Sequence, residues 1–401
     1  MRIAERAMPS ITSHLAPEMT LPASPRGARL AGRIFMPSVE GPSVVKLDGR
    51  NLLDITHVFP TMRDLCERND PADALRQASG EPVGVLSDVL ANTPPDARDP
   101  RKPWLLAPID LQVIKAAGVT FATSMIERVI EERARGNPQA AISLRAEIGS
   151  FIGDDLSRLK AGSPEAMKLK QLLIGKNMWS QYLEVGIGPD AEIFTKAPVL
   201  SAVGHGADAG LHRISKWNNP EPEVVIVVSS SGRIIGATLG NDVNLRDVEG
   251  RSALLLGKSK DNNASSAIGP FIRFFDDGFT LDDVRKLKLS LSVEGEDGYR
   301  LTGGSVMSEI SRDPEELVRQ MLGPHHQYPD GAVLFLGTLF APIEDRDVKG
   351  QGFTHKLGDI VSVSAPELGR LTNRMAYSDE AEPWTFGISH LMRNLAARKL
   401  I

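Results

Sequence analysis

Glu221-Pro-Glu223 stands just ahead of the apolar run Val224-Val-Ile-Val-Val228, and Asp242 follows in Gly240-Asn-Asp-Val-Asn-Leu-Arg246. Successive strand side chains point to opposite faces, so the two glutamates share one face, roughly 7 Å apart along the strand and within reach of one ion. A turn at Ser231-Gly-Arg233 and a second run, Ile234-Ile-Gly-Ala-Thr-Leu239, predict an antiparallel return that brings Asp242 back to the pair. As isolated surface carboxylates, the same residues would flank a solvated strand entrance and cap a turn. As a set, they make an all-oxygen shell without cysteine or clustered histidine, which selects Mg2+, with Mn2+ or Ca2+ as other occupants. A 2-oxo acid is the natural ligand of such an ion, because chelation through its carboxylate and keto oxygens makes the C3 hydrogens acidic. The protein must then supply a base near C3, an acid near the leaving group and cationic support for the enolate.

The elements that position these groups are legible in outline. A helix is predicted from about Thr120, with Phe121, Met125, Ile126, Val129 and Ile130 at helical spacing, ending at Gly136-Asn-Pro138. Residues 139–177 read as helical with breaks at Gly153-Asp-Asp155 and Gly162-Ser-Pro164, either a helix pair or an insertion covering the site. From Pro198 to Asn373 the runs are short, β-rich and Gly-punctuated, as in a curved mixed sheet. Upstream, short apolar runs around Ile34 and Val44 suggest a small sheet with a helix near Met62–Glu67. The Pro-rich, mixed-charge segment 92–103 reads as a linker. The expected organisation is a small N-terminal α/β domain (residues 1–100) and a catalytic domain (104–401), together a mixed, β-rich α/β protein. Residues 388–400 read as a terminal amphipathic helix.

Several classes are disfavoured. A net charge of −5 without a long basic block, and few scattered aromatics, lack the footprint of a nucleic-acid binder. No run approaches membrane-spanning length, the N-terminus lacks the apolar core of a secretory signal, and the single cysteine, Cys66, suits a reducing compartment; a cytoplasmic protein is expected. Gly257-Lys258-Ser259 lacks the spacing of a phosphate-binding loop, and Gly204-His-Gly206 is not followed by room for a crossover helix. G-x-S-x-G and H-E-x-x-H are missing.

The order E-x-E, G-N-D-x-x-x-R-D, G-K-S (Gly257-Lys258-Ser259) and G-P (Gly269-Pro270) resembles the fumarylacetoacetate hydrolase superfamily. The resemblance runs from about residue 105 to 375, through Phe194-Thr-Lys196-Ala-Pro198, Leu336-Gly-Thr338, Gly358-Asp359 and Gly369-Arg-Leu-Thr-Asn373. It implies a β-roll catalytic domain and at least a homodimer. Compact members carry G-x-N-Y-x-x-H-x-x-E, whereas this chain has Gly118-Val-Thr120-Phe121-Ala-Thr-Ser124-Met-Ile-Glu127, with Ser124 in place of the histidine. That departure, with Arg246-Asp-Val-Glu249-Gly, Ser311-Arg312 and Gly352-Phe-Thr-His355, resembles the sugar-acid dehydratase branch. The implied reaction is metal-dependent dehydration of a 2-dehydro-3-deoxy-D-pentonate to 2,5-dioxopentanoate, with a small 2-oxo sugar acid as the only partner besides a second copy. The implied roles give the metal to Glu221, Glu223 and Asp242 and the proton transfers to Glu127 and Lys258, in either order, with Ser124 assisting the departing hydroxyl. Lys196, Arg246, Thr338 and Phe121 would contact substrate, although Lys196 also suits an ion pair to a metal-binding carboxylate.

Two other readings keep the scaffold. One is hydrolysis of an acylpyruvate-type β-diketone, against which the missing histidine weighs; the other is a metal-dependent sugar-acid-binding protein without turnover.

Overall fold

The structure, a computed structural model, describes residues 10–135, 137, 139–141, 143, 159–175, 177, 179–340, 342, 344–347 and 352–401. Much of the expected helical segment 139–177 therefore lies outside the described residues. Among those described, no helix is long and apolar enough to cross a membrane.

Among the described residues, sixteen strands form two sheets: β1 Leu30–Met36, β2 Gly41–Asp48, β3 Asn51–Asp54, β4 Glu81–Val85, β5 Trp104–Leu106, β6 Val113–Gly118, β7 Glu192–Ala197, β8 Asp208–Leu211, β9 Pro222–Val228, β10 Ile234–Asp242, β11 Ser266–Phe274, β12 Lys288–Glu294, β13 Arg300–Val306, β14 Ala332–Phe335, β15 Ile360–Ala365 and β16 Gly369–Tyr377. The larger sheet runs β4-β3-β2-β1-β11-β10-β9-β14-β6-β7, with β5 also on β1; the smaller runs β13-β12-β15-β16-β8.

The central strand β9 is a run of β-branched residues buried on both faces, which is why it is continuous rather than alternating in hydrophobicity. Val224, Ile226 and Val228 enter the core between the two sheets, with Leu289, Leu291 and Val293 of β12 and Val361 and Val363 of β15. Val225 and Val227 point the other way, into a core closed by Met62 and Leu65 of the helix Met62–Cys66 and Leu75 of the helix Pro71–Gln77. The helix at 62 starts as its sequence demands, with a capping box between Thr61 and Asp64.

The segment 92–103 does not divide the molecule into separate hydrophobic cores. β1 is hydrogen-bonded to β11, with Ala31 opposite Ile272, and Leu30 and Ile34 pack with Phe271 in one cluster. The N-terminal strands thus extend the sheet that carries the site. The helix Ala122–Arg133 starts two residues later than Thr120, after an extended Phe121. Its Met125, Val129 and Ile130 pack with Leu173 of the helix Pro164–Gly175 and Leu183 and Ile187 of the helix Gln181–Ile187. This small apolar cluster fixes the helix across the end of β6. The terminal helix spans Ile388–Ala397.

Candidate active site

The β9–β10 pairing brings the three acids together. Gly240 lies opposite Glu223 and Asn241 opposite Pro222, and the Asp242 amide donates to the Glu221 carbonyl at 3.0 Å. Asp242 therefore stands beside Glu221 on one face, with Glu223 diagonally adjacent. One carboxylate oxygen from each of the three lies within 4.8 Å of the others, and all three residues are about 1% exposed. They line a cavity of about 20 Å³ with Gly118, Val119, Arg128, Glu192, Glu249, Lys260 and Thr338, room for about one ion or water molecule.

Buried cations answer these charges. Lys260 Nζ contacts Glu221 and lies 3.2 Å from Asp242 Oδ2. Lys196, fully buried, bonds the Lys260 carbonyl and sits 3.0 Å from Asp242 Oδ1. Arg128 contacts Glu221 with one terminal nitrogen and, with the other, Glu131 at 2.7 Å and Glu249 at 3.1 Å. Arg246 Nε in turn lies 3.2 Å from Glu131, and its Nη2 donates to the Pro342 carbonyl at 3.0 Å. The result is a continuous buried chain of charge, Glu221–Arg128–Glu131–Arg246.

Glu223 is held differently. The Gly337 amide donates to it at 2.7 Å and the Thr338 hydroxyl at 3.2 Å. Gly337 has φ +100°, and a Cβ there would fall 1.9 Å from Thr120 Oγ1, so only glycine presents that amide. Burial pushes the Glu223 carboxyl well above its ordinary range, with Asp242 and Glu221 adding to the shift. Burial would also raise Glu221, but Lys260 and Arg128 outweigh it and hold that carboxyl below its ordinary value. The same burial lowers Lys196 against the pull of Asp242. For Lys260 it is overcome by Asp242 and Glu221, which raise the ammonium.

The residues present suit a hard dication. The donors are all carboxylate oxygens converging on an ion-sized space, with Asp242 Oδ1 facing Lys196 at 3.0 Å. Such a group would be held by Glu221, Glu223 and Asp242.

The other expected residues distribute unevenly. Lys196, Thr338 and Arg246 join the acidic cluster directly or through one carboxylate. Glu127 is 7% exposed and stands beside Glu131 and Arg246, one helical turn from the former. Phe121 is 1% exposed and belongs to the core between the sheets rather than to the cavity wall. The Ser124 side chain lies outside the described residues. Lys258 is corrected: it is exposed, and its ammonium is 2.8 Å from His212 Nε2. In the short helix Leu256–Lys260, residues two apart face different ways, so Lys260 turns inward and Lys258 outward. The sequence placed a lysine here but carried no burial signal to choose between the two.

Arg128, Glu131, Glu192 and Glu249 escaped sequence reasoning. Arg128 and Glu131 lie off the apolar spacing of the helix Ala122–Arg133, where sequence alone gives charged residues no partner. Glu192 follows no motif, yet its carboxylate turns toward Gly118, where a Cβ would lie 2.0 Å from Oε2. Burial raises it to about 7, with the charge of Glu249 adding to the shift.

A sequence family described as fumarylacetoacetate (FAA) hydrolase C-terminal matches residues 175–376. The chain is 29% identical over 226 residues to a 2-dehydro-3-deoxy-D-arabinonate dehydratase of Saccharolobus solfataricus, covering 56% of this chain and 69% of the relative. It is 30% identical over 197 residues to a probable 2-keto-3-deoxyxylonate dehydratase of Haloferax volcanii, covering 49% of this chain and 64% of that protein. A solved 2-keto-3-deoxy-D-arabinonate dehydratase, complexed with magnesium and 2,5-dioxopentanoate, superimposes with a TM-score of 0.59 at 20% identity, over 87% of this chain and 99% of that one. At that identity the likeness is one of fold.

Proposed function

The chain belongs to the fumarylacetoacetate hydrolase family, and on that premise we propose that it is a Mg2+-dependent hydro-lyase converting a 2-dehydro-3-deoxy-D-pentonate to 2,5-dioxopentanoate. The observation that carries the reading is the buried triad Glu221, Glu223 and Asp242, three carboxylates converging on an ion-sized space with buried lysines beside them. Two relatives named for this dehydration support it.

A bound dication there supplies chelation of the 2-oxo acid and withdrawal of charge from C2, which acidifies C3. The chain's own groups do the rest. Lys260 and Lys196 pair with Glu221 and Asp242 and orient them, and Gly337 and Thr338 orient Glu223. A proton leaves C3 and the C4 hydroxyl departs as water, taking a second proton from the protein. Conversion to the aldehyde then removes one proton from C5 and one from its hydroxyl while C3 and C4 each take one, so the net change is the loss of water. Glu192, raised to about 7 by burial, and Glu127 on the overlying helix are assigned these transfers. Lys258, exposed and bonded to His212, is given no proton transfer in this reading. Arg246, anchored by Glu131, takes the outer end of the substrate. We further place the protein in the cytoplasm as a homodimer, consistent with a single buried thiol at Cys66.

Incubation of metal-free and Mg2+-loaded protein with 2-dehydro-3-deoxy-D-pentonate, followed by NMR, tests the reading. Mg2+-dependent 2,5-dioxopentanoate supports it; pyruvate release from acylpyruvates without dehydration would replace it, as would tight sugar-acid binding without product.

A further inference from the structure

The cavity framed by the triad admits an ion but not a five-carbon acid, and among the described side chains of the helix Ala122–Arg133 it is Arg128 that lines it. Arg128 is 9% exposed and its guanidinium contacts Oε1 of Glu221, one of the three carboxylates that would hold a metal. Beside it, Glu249 Oε2 lies 3.1 Å from Arg128 Nη1. The guanidinium thus pairs with Glu131 and Glu249 while it also holds Glu221. Release of Glu221 leaves two carboxylate partners in place.

We propose that Arg128 is a positioning residue that acts as the resident counter-ion of Glu221, and that arrival of a dication releases it from Glu221 onto Glu249 and Glu131, loosening the tie between the helix Ala122–Arg133 and Glu221. The inference rests on the metal reading of the triad. Two cations on one carboxylate repel, and a dication bound to Glu221 repels the guanidinium strongly in a buried site. Glu131 keeps its hold on Arg128 in both states and links it to Arg246, the residue assigned to the outer end of the substrate. Lys260 reaches Asp242 as well as Glu221 and has no need to leave.

Titration calorimetry with Mg2+ alone on the metal-free chain, its Arg128→Met and Glu249→Gln variants and the double variant tests the transfer. Arg128→Met should bind Mg2+ about tenfold more tightly and Glu249→Gln more weakly, while Glu249→Gln should have little effect once Arg128 is gone, the non-additivity expected of groups acting on each other. Effects that simply multiply in the double variant would overturn the transfer and leave only long-range charge. Wild-type protein also carries a test independent of variant folding. Hydrogen exchange of residues 122–133 should accelerate on saturation with Mg2+, and unchanged or slower exchange would overturn the proposal. If Mg2+ does not bind at all, and Glu223→Gln behaves as wild type, the metal reading fails and the transfer with it.

Discussion

Replacing Lys260 by methionine removes an ammonium that contacts Glu221 and lies 3.2 Å from Asp242, two carboxylates whose side chains are 2% exposed. Taking one partner from a buried ion pair typically costs about 3–5 kcal/mol, because the remaining charge is left without solvent or counter-ion. Arg128 still contacts Glu221 and Lys196 still faces Asp242, so the lower end applies, about 3 kcal/mol. For 401 residues that corresponds to a fall in Tm of about 4 °C. Methionine keeps much of the side-chain volume, so little of the loss is a cavity effect. Saturating Mg2+ should recover more than half of the deficit, since a dication on Glu221 and Asp242 replaces the missing charge. Lys258→Met is the internal control: its exposed ammonium meets His212 rather than the acids, and the change should move Tm by less than about 1 °C. Differential scanning calorimetry of both variants in EDTA and in Mg2+ gives the comparison. Equal melting of the two variants, or a Lys260→Met deficit that Mg2+ leaves untouched, would refute the charge-balance reasoning.

Further outcomes follow from the same geometry. Glu127→Gln should lower turnover by about 100-fold or more while leaving Mg2+ affinity intact by calorimetry; loss of metal binding would instead make Glu127 a ligand. Gly337→Ala places a Cβ 1.9 Å from Thr120 Oγ1 at φ +100°, and should cost about 2–3 kcal/mol in urea unfolding; wild-type stability would remove the argument for that amide's strained presentation. Glu192 has a folded value of about 7, above its ordinary 4.5, so its contribution to folding is complete below pH 4.5 and is lost as pH rises through about 7. That displacement amounts to no more than about 3 kcal/mol. Glu192→Gln should flatten the fall in stability of metal-free protein over this range, measured by denaturant titration at successive pH values, and an unaltered slope would show the carboxyl to be ordinary.

How far the residues alone disclosed the site depends on what kind of signal each carries. Glu221, Glu223 and Asp242 are tied to a β-hairpin whose register follows from local periodicity, so their convergence was legible before any tertiary contact was known. Lys196, Thr338 and Arg246 came from motif positions, and the structure brings each to the acids or to their immediate partners. The choice of Lys258 over Lys260 failed because motif spacing places an element and not the side of it that is buried. Glu192 was invisible for a related reason: a lone glutamate on a strand reads as solvent-facing until β6, with Gly118, is laid beside it.

The mixed, β-rich architecture, the central hairpin and the helix after Thr120 were written in short-range pattern, where side-chain period and turn chemistry act over a few residues. Only the tertiary structure decided that the N-terminal strands continue the same sheet and that Arg128 and Glu131 face inward. Only there, too, does one helix lay a chain of alternating charge across the triad. Those outcomes depend on which surfaces meet over long sequence separations. An Arg or Glu on an amphipathic helix is equally at home in water or in a buried ion pair until its partners are in place.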